Sequence, residues 1–224
     1  MQLAQAKYES VKKSVDAGAS SSDVLAQALV DLKFAESEVA RINLGAAEIQ
    51  ITAAAPRDEI WAPLVDNRDF VTARLNLDVD QAEQRVSALQ QVAAHIERRV
   101  WVGAATEILL LEAQQSVSDA TRTLNVAVRK LALRKMFLEK KIDQKAITQN
   151  VATDQLRDEV IRLTELLDVA DRRATIAHKR EAAGIATELE VKKAEVDVLE
   201  RKVQLEQLRS LFQAVLSAQK YRKN

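Results

Sequence analysis

The chain contains no cysteine and very little proline, glycine or aromatic residue. Its 224 residues include two prolines and four glycines, and only 4% of them are aromatic. Without cysteine it can form neither disulfides nor thiolate metal sites, an absence that is compatible with any compartment. So few helix-breaking residues over this length favour long helices over sheets. The sequence therefore predicts an all-α protein.

Charge and hydropathy exclude two further classes. The 33 basic residues are balanced by 33 acidic residues, whereas a nucleic-acid-binding protein needs a basic excess to neutralise phosphates. No run of about 18 apolar residues occurs, so the sequence predicts no transmembrane helix. Its first residues, Met1 to Ala4, are not a signal peptide. We therefore predict no nucleic-acid partner and no membrane-spanning segment in this chain.

Three of the four glycines lie in the same local sequence pattern. Gly18, Gly103 and Gly184 are each followed by a hydroxyl side chain and then by apolar residues that alternate at spacings of three and four. Such spacing is typical of a seam, the apolar stripe along which one helix packs on another. The hydroxyls are Ser21, Thr106 and Thr187; the seam residues are Leu25, Ala28, Leu32 and Val39 in the first copy, Leu110, Ala113, Val117 and Leu124 in the second, and Val191, Ala194, Val198 and Leu205 in the third.

Each of these glycines is predicted to end one helix, and each hydroxyl to begin the next. Glycine adopts the left-handed conformation found after helix C-termini, and Ser or Thr accepts hydrogen bonds from the first free N–H groups of a helix. Thr187 and Glu190 have the spacing of a capping box. A helix, a short turn and a second helix form an antiparallel αα-hairpin. The repeat thus predicts an elongated bundle of three glycine-tipped hairpins with coiled-coil-like seams.

The predicted hairpins divide the chain at its two prolines and at the start of the third repeat. Because the first arm is short, we expect a signal or anchor segment to precede it in the native protein. Asp69 is expected to cap the third helix. We predict a first hairpin over residues 1–52, a proline-containing linker over 53–69, a second hairpin over 70–142 and a third over 143–224, in one continuous helical domain, with helices over 2–17, 21–50, 70–102, 106–141, 153–183 and 187–222.

No arrangement of residues indicates catalysis, and we predict no catalytic, cofactor-binding or metal-binding residue. The chain has no nucleophile elbow and no glycine-rich phosphate loop. Asp66, Asn67 and Asp69 resemble the start of a calcium loop but lack the glycine and distal glutamate of an EF-hand. We interpret this cluster as a solvated loop with a helix cap.

The hairpin tips are the first candidate docking sites. Trp101 directly precedes the second tip at a position outside the seam. It either anchors a docking partner, because tryptophan is favoured at interface hot spots, or covers a neighbouring hairpin of the same chain, which is the interpretation we prefer. The candidate tip residues are Gly18, Ser21, Trp101, Gly103, Thr106, Gly184 and Thr187.

A basic amphipathic segment over residues 129–141 is the second candidate contact surface. Such a segment can lie on an anionic membrane surface or on a partner protein. Its cations also complement the C-terminal end of the fourth helix, and we prefer this second interpretation while leaving peripheral membrane contact open. The candidate surface residues are Arg129, Lys130, Arg134, Lys135, Lys140 and Lys141.

The three glycine patterns resemble the periplasmic helical hairpins of TolC-type outer-membrane efflux proteins. The resemblance lies in "VWVGAATEILLLEAQQSV" (100–117), "AAGIATELEVKKAEVDVLE" (182–200) and "DAGASSSDVLAQALVDLKFAE" (16–36), about half of the chain. That family carries two such hairpins together with barrel strands, whereas this chain has three glycine patterns and no segment that alternates over the length of a barrel strand. The resemblance implies a helical protein of the cell envelope, and it does not carry over transport activity.

These observations favour a non-enzymatic, extracytoplasmic scaffold or adaptor that acts by protein–protein contact along its seams or hairpin tips. The resemblance implies a periplasmic location and a relation to efflux. The alternative is a periplasmic sensory or regulatory domain of a membrane-anchored signalling protein. In either case we expect protein partners, including a second copy of the chain, and no cofactor.

Overall fold

The computed structural model describes residues 1–221, apart from the side chains of residues 22, 23 and 219–221. Over this range the regular structure is helical, and an isolated bridge between Val65 and Arg68 is the one β-type pairing. The all-α prediction is confirmed. The helices are α1 (Gln2–Asp16), α2 (Ser22–Thr52), α3 (Phe70–Trp101), α4 (Glu107–Leu138), α5 (Gln144–Ala182) and α6 (Glu188–Tyr221).

The chain divides into two compact units, the first from Met1 to Ile147 and the second from Thr148 onward. In the first unit α1 packs on α2, α2 on α3 and α3 on α4. An ion pair of 2.6 Å joins Lys7 of α1 to Asp31 of α2. A small core of Ala62, Val71 and Leu75 packs against Leu131. This core joins the 53–69 linker to α3 and α4.

In the second unit, helix α6 carries its seam where the repeat predicts it, and α5 buries apolar residues as well. Leu163 and Ala170 of α5 are buried, as are Val191, Val198 and Leu205 of α6. Near the turn, His178 Nε2 of α5 lies 3.1 Å from Glu195 Oε1 of α6. Apolar residues seven apart on one helix face account for this burial.

The three glycine turns share one backbone geometry. Gly18, Gly103 and Gly184 have φ values of 71°, 72° and 70°. At the second turn, Gly103 N donates to Val100 O at 3.0 Å and Ala104 N donates to Arg99 O at 2.7 Å. This pair of bonds is the Schellman motif, which pairs the last free carbonyls of a helix. The predicted left-handed glycines are therefore confirmed.

Two of the three predicted hydroxyl caps accept a backbone hydrogen bond as expected. Thr106 Oγ1 accepts a hydrogen bond from Leu109 N at 3.3 Å. Thr187 Oγ1 accepts from Glu190 N at 3.3 Å, while Glu190 Oε2 accepts from Thr187 N at 2.7 Å, which completes the capping box. Ser21 lies at the N-cap of α2, but within the described residues its side chain makes no capping bond. The first turn thus lacks one stabilising bond that the other two possess.

We expect Gly103→Val to lower the free energy of unfolding by about 1–2 kcal/mol, because a β-branched residue is strained at positive φ. A Cβ added at Gly103 would meet no atom within 4 Å, so the expected loss comes from backbone strain and not from a clash of that atom. Urea unfolding monitored by circular dichroism measures it. Unchanged stability would contradict the turn assignment.

Gly45 provides the matched control, since it lies inside α2 and is the one glycine without positive φ. A Cβ there would lie 3.4 Å from Pro56 Cγ. Because glycine in a helix interior is less favourable than alanine by about 0.5–1 kcal/mol, Gly45→Ala should leave stability unchanged or raise it.

A fourth Schellman turn follows α4, and the sequence gives no sign of it. Lys140 occupies the glycine position with φ 57°, and Lys141 N donates to Met136 O at 2.9 Å. Helix α5 then begins at Gln144, where Asp143 Oδ1 accepts from Ala146 N at 2.7 Å. The predicted start of the fifth helix at residue 153 is therefore wrong, because Asp143 caps the helix earlier.

Lys140→Gly should raise the free energy of unfolding by about 0.5–1 kcal/mol. Relief of left-handed strain, about 1–2 kcal/mol, exceeds the added chain entropy of glycine in the unfolded state. Thermal unfolding measures the change, with Lys141→Gly as control because residue 141 has no positive φ. An equal effect in both variants would contradict this explanation.

The seam prediction is only partly right on α2 and α4. Ala28 and Leu32 are buried as expected, but Val39 is 37% exposed. On α4 the predicted residues Leu110, Ala113, Val117 and Leu124 are half-buried. The fully buried α4 residues are Leu111, Ala120, Ala127 and Arg134. Ala120, Ala127 and Arg134 continue the same spacing of three and four as the predicted residues, so the seam is placed correctly but its most buried positions are different ones.

No helix within residues 1–221 combines the length and the apolar character needed to cross a membrane.

Candidate interaction surfaces and the anchored linker

The segment that the sequence marks as a linker, residues 53–69, is fixed by its own turn and by two buried arginines. Asp66 and Asn67 have φ values of 50° and 58°, as in a type I′ turn, where Asp and Asn tolerate the left-handed conformation. Val65 and Arg68 on either side exchange two backbone hydrogen bonds of 3.0 and 2.8 Å. Asp66 and Asn67, which resemble the start of a calcium loop, are thus explained by the left-handed conformation that this turn requires.

Arg134 of α4 is fully buried and binds three separate parts of the linker. Its Nη1 donates to Ile60 O at 2.8 Å and to Ala62 O at 2.5 Å. Its Nη2 donates to Asp69 Oδ1 at 2.8 Å. Its guanidinium carbon also lies 5.9 Å from the centre of the Phe137 ring, within the range of a cation–π contact. One side chain therefore fixes the linker against the end of α4.

Asp69 joins this anchor to the start of α3. Its Oδ1 accepts from Thr72 N at 3.0 Å, which confirms the predicted N-cap. Partial burial opposes ionisation of Asp69, but the hydrogen bonds from Arg134 and Thr72 outweigh it and hold the pKa below its ordinary value. The ionised carboxylate is thus the form that the fold stabilises.

The lowered pKa of Asp69 predicts a loss of stability in acid. The ionised group stabilises the fold above its unfolded pKa of about 3.9, and this contribution is lost as the pH falls through the lower folded pKa. We expect the wild type to be more stable than Asp69→Asn at neutral pH and the difference to shrink below about pH 4. Urea unfolding at several pH values measures it. A constant difference would contradict the assigned role.

Glu48 of α2 and Arg74 of α3 form a second buried anchor at the other end of the linker. Arg74 Nη1 donates to Glu48 Oε2 at 2.7 Å, and Arg74 Nη2 donates to Arg57 O at 2.5 Å. Glu48 Oε1 accepts from Arg57 N at 3.2 Å. Sequence reasoning missed both residues. Their signal is a charged residue on a helix face whose neighbours are apolar, such as Arg74, which has Phe70, Val71 and Leu77 three or four residues away.

The basic segment over residues 129–141 does not form one surface. Arg134 is buried rather than available for contact, so its prediction as a surface residue is wrong. Lys135, Lys140 and Lys141 are exposed, and Lys141 Nζ lies 2.8 Å from Glu139 Oε2. Arg129 is half-buried, and Lys130 lines a groove of about 660 Å³ between α2, α3 and α4. In this segment Arg134 therefore anchors the linker, while Lys135, Lys140 and Lys141 are exposed to solvent.

The tip of the second hairpin exposes two large apolar side chains. Trp101 is 88% exposed and Val102 is 64% exposed. Within the first unit Trp101 does not cover the neighbouring hairpin, contrary to the interpretation preferred from sequence, because its indole is exposed at the turn. Arg99 Nη2 donates to Ala104 O at 3.2 Å across the same turn. Trp101 therefore lies next to a turn that is stabilised by the left-handed Gly103, by the Thr106 cap and by this hydrogen bond.

The third hairpin also exposes apolar residues, both at its tip and along α6. Ile185 beside Gly184 is 67% exposed. Along α6 a second apolar stripe lies on the side of the helix away from the seam residues Val191, Val198 and Leu205, as the 3.6-residue period requires. Its members are Leu189, Val196, Leu199 and Val203, each at least half exposed.

The structure places the predicted tip residues at three turns and leaves all seven of them exposed. Gly18, Gly103, Gly184, Ser21, Thr106 and Thr187 are exposed. Within the described residues no group of three or more His, Cys, Asp or Glu side chains is arranged to hold a metal ion. Comparisons with family models, with curated proteins and with solved structures found no match to this chain.

Proposed function

We propose that the chain is a non-enzymatic, extracytoplasmic scaffold or adaptor that binds protein partners through its hairpin tips and helix seams. The observation that carries this proposal is the exposure of Trp101 (88%) next to Val102 (64%) at a rigid turn. Leaving large apolar surface in water is unfavourable by about 25 cal/mol per Å². A partner that covered this surface would recover that free energy.

The residues next to Trp101 are of the types found at the centres of protein–protein interfaces. Tryptophan and arginine are the residue types most enriched among binding hot spots, and Arg98 and Arg99 directly precede Trp101. The turn itself is ordered by its Schellman bonds, so binding would cost little additional conformational entropy. The tip therefore suits a partner with an apolar pocket bordered by acidic residues.

The exposed stripe on α6 supports contact along a helix as well. Val196, Leu199 and Val203 follow the spacing of three and four that fits a partner helix, and they are 52%, 60% and 56% exposed. The location and the relation to efflux rest on the resemblance of the glycine patterns to TolC-type hairpins. Under this proposal the hairpin ends and the outer face of α6 are the working surfaces.

A photo-cross-linking amino acid placed at position 101 in the native cells tests the proposal. We expect one discrete cross-linked protein in the cell-envelope fraction. The matched control is the same amino acid at Gln91, an exposed α3 position away from the tip, where no such product should form. Purely cytosolic fractionation, or equal products from both positions, would overturn the proposal.

A further inference from the structure

Helix α6 exposes an apolar row on the side of the helix away from its buried seam. We name this row the α6 outer face and define it by Leu189, Val196, Leu199 and Val203, which are 62%, 52%, 60% and 56% exposed. Val196 lies two residues from the buried seam residue Val198, a rotation of about 200° around the helix. A helix that packed on the outer face would therefore lie on the opposite side of α6 from the seam.

Charged residues line both edges of the α6 outer face, and all of them are exposed. In the heptad that gives Val196 and Val203 the same core position, these residues occupy the flanking positions. Read along the helix, one edge carries Glu188, Glu195, Lys202 and Arg209, and the other carries Lys193 and Glu200. Each edge thus changes sign along its length. A second copy that runs in the opposite direction consequently presents opposite charges to both edges.

The residues nearest the middle of the first edge, Glu195 and Lys202, carry most of this pattern. The outer charges Glu188 and Arg209 also form ion pairs within α6. Glu195 lies 3.1 Å from His178 Nε2 of α5, yet half of its side chain is exposed. Lys202 is exposed as well. Both side chains are therefore accessible to a partner helix on the outer face.

We propose that the α6 outer face binds the same face of a second copy of this chain, antiparallel about a two-fold axis that passes between residues 197 and 198. In this register Val196 of each copy packs against Leu199 of the other. Further out, the methylene stem of Lys192 covers Val203 while its ammonium reaches solvent. The proposal deepens the proposed function, because it names the partner of one of its surfaces.

The flanking charges are complementary in this register. Glu195 of one copy lies two residues along the axis, about 3 Å, from Lys202 of the other. Lys193 lies at the same axial distance from Glu200. The two-fold axis repeats both pairs, so every nearest pair across the two edges joins opposite charges.

The same charges disfavour the neighbouring arrangements. Sliding one copy by seven residues in one direction sets Glu195 and Lys193 each against its own counterpart. Sliding it in the other direction does the same for Lys202 and Glu200. A parallel pair would place the two copies of Lys192 together in the core row and Glu195 beside Glu200. Like charges held together suppress such pairings. The order of the charges, rather than the apolar spacing, therefore selects a second copy in this orientation.

The contact extends from residue 188 to residue 209 of each copy. Twenty-one steps of about 1.5 Å give roughly 32 Å of helix. At its two ends Leu189 faces Glu206, so the apolar contact is confined to the centre. Small interfaces of this kind are typically weak, and we expect a dissociation constant in the micromolar range or weaker.

Sedimentation equilibrium of the full chain, from low micromolar to millimolar concentration, tests the proposal. We expect a monomer–dimer equilibrium whose dissociation constant Leu199→Glu raises by about tenfold or more, because it places a charge in each central layer. Leu211→Glu is the matched control, since Leu211 is 53% exposed on the same helix and lies outside the outer face; it should dimerise like the wild type. A monomer at all concentrations, or equal dimerisation of both variants, would overturn the proposal.

Exchanging the paired charges tests the register in a way that loss of folding cannot imitate. Lys202→Glu opposes acids and Glu195→Lys opposes bases, so each variant alone should dimerise more weakly than the wild type. A mixture of the two should recover the dimer, because both edge pairs of the heterodimer again join opposite charges. No recovery on mixing would contradict the register. Tighter dimerisation of Glu195→Lys alone would indicate the parallel pair, in which residue 195 lies beside Glu200, and would overturn the proposal.

The dimer and the tip function are distinguishable. Trp101→Ala should leave the monomer–dimer equilibrium unchanged, and Leu199→Glu should leave cross-linking from position 101 unchanged. Failure of one proposal therefore does not imply failure of the other.

Discussion

Replacing Arg134 with methionine should lower the free energy of unfolding of the first unit by about 3–5 kcal/mol, the cost of removing one partner from a buried ion pair. The variant would leave Ile60 O, Ala62 O and part of the Asp69 carboxylate without their donor. Unsatisfied buried acceptors cost about 1–3 kcal/mol each when water cannot reach them. Methionine keeps most of the buried apolar contact, so the loss reflects the missing hydrogen bonds.

Tryptophan fluorescence during urea unfolding measures this loss, because both tryptophans lie in the first unit. Trp61 is half-buried between Ile60 and Ala62, the residues whose carbonyls Arg134 binds. The control is Lys135→Met, which changes the next residue on an exposed position and should alter stability by no more than about 0.5 kcal/mol. Equal stability of the two variants would show that Arg134 does not anchor the linker.

Arg134→Lys separates charge from geometry. Lysine keeps the positive charge, but its compact ammonium cannot reproduce the planar fork that reaches two carbonyls and a carboxylate. We expect an effect between those of the wild type and Arg134→Met. This comparison uses the same fluorescence measurement.

Much of the fold could be predicted from sequence because its local signals agree. At Gly103 the left-handed glycine, the basic pair before it and the Thr106 cap all indicate the same turn. Asp69 could be predicted as a cap for the same reason, since a short acidic side chain directly precedes a helix. Where several local preferences point to one structure, the sequence specifies it.

The features that sequence missed depend on contacts distant in the chain. Arg134 looks like an exposed cation near a helix end, and only its pairing with Asp69, 65 residues earlier, makes it a buried anchor. Lys140 adopts a left-handed conformation that its residue type disfavours, so no local preference predicts that turn. The sequence does not decide whether Trp101 is buried or exposed, because its exposure depends on what packs beside the turn. Each of these requires tertiary structure.

The second large effect is expected at the Glu48–Arg74 pair, which joins α2 to α3 and to the start of the linker. Arg74→Met should lower the free energy of unfolding by about 3 kcal/mol, because Glu48 would remain buried with only the more distant Arg57 Nε, 4.0 Å from its Oε1, as a counter-charge. Glu48 is only 2% exposed and Arg74 only 4%. Urea unfolding of Arg74→Met and of Glu48→Leu measures the change in the free energy of unfolding that each substitution causes alone. The control is Arg85→Met, at an exposed position of α3.

The double variant Glu48→Leu/Arg74→Met should be less destabilised than the sum of its two parts. Removing both charges leaves no buried ion unpaired, so we expect a coupling energy of about 1–3 kcal/mol. The double variant should still be less stable than the wild type, because the backbone N–H and C=O of Arg57 lose their partners. Additive effects would contradict a direct buried pair.

Combining Arg74→Met with Arg134→Met tests whether the two anchors hold one cooperative segment. Arg74 binds the linker at Arg57, and Arg134 binds it from Ile60 to Asp69. If the linker docks as a unit, releasing one end weakens the other, and the second substitution should then cost less than it does alone. Trp61 fluorescence should report that loss of docking. Additivity within about 0.5 kcal/mol would mean instead that each arginine fixes its own short stretch independently.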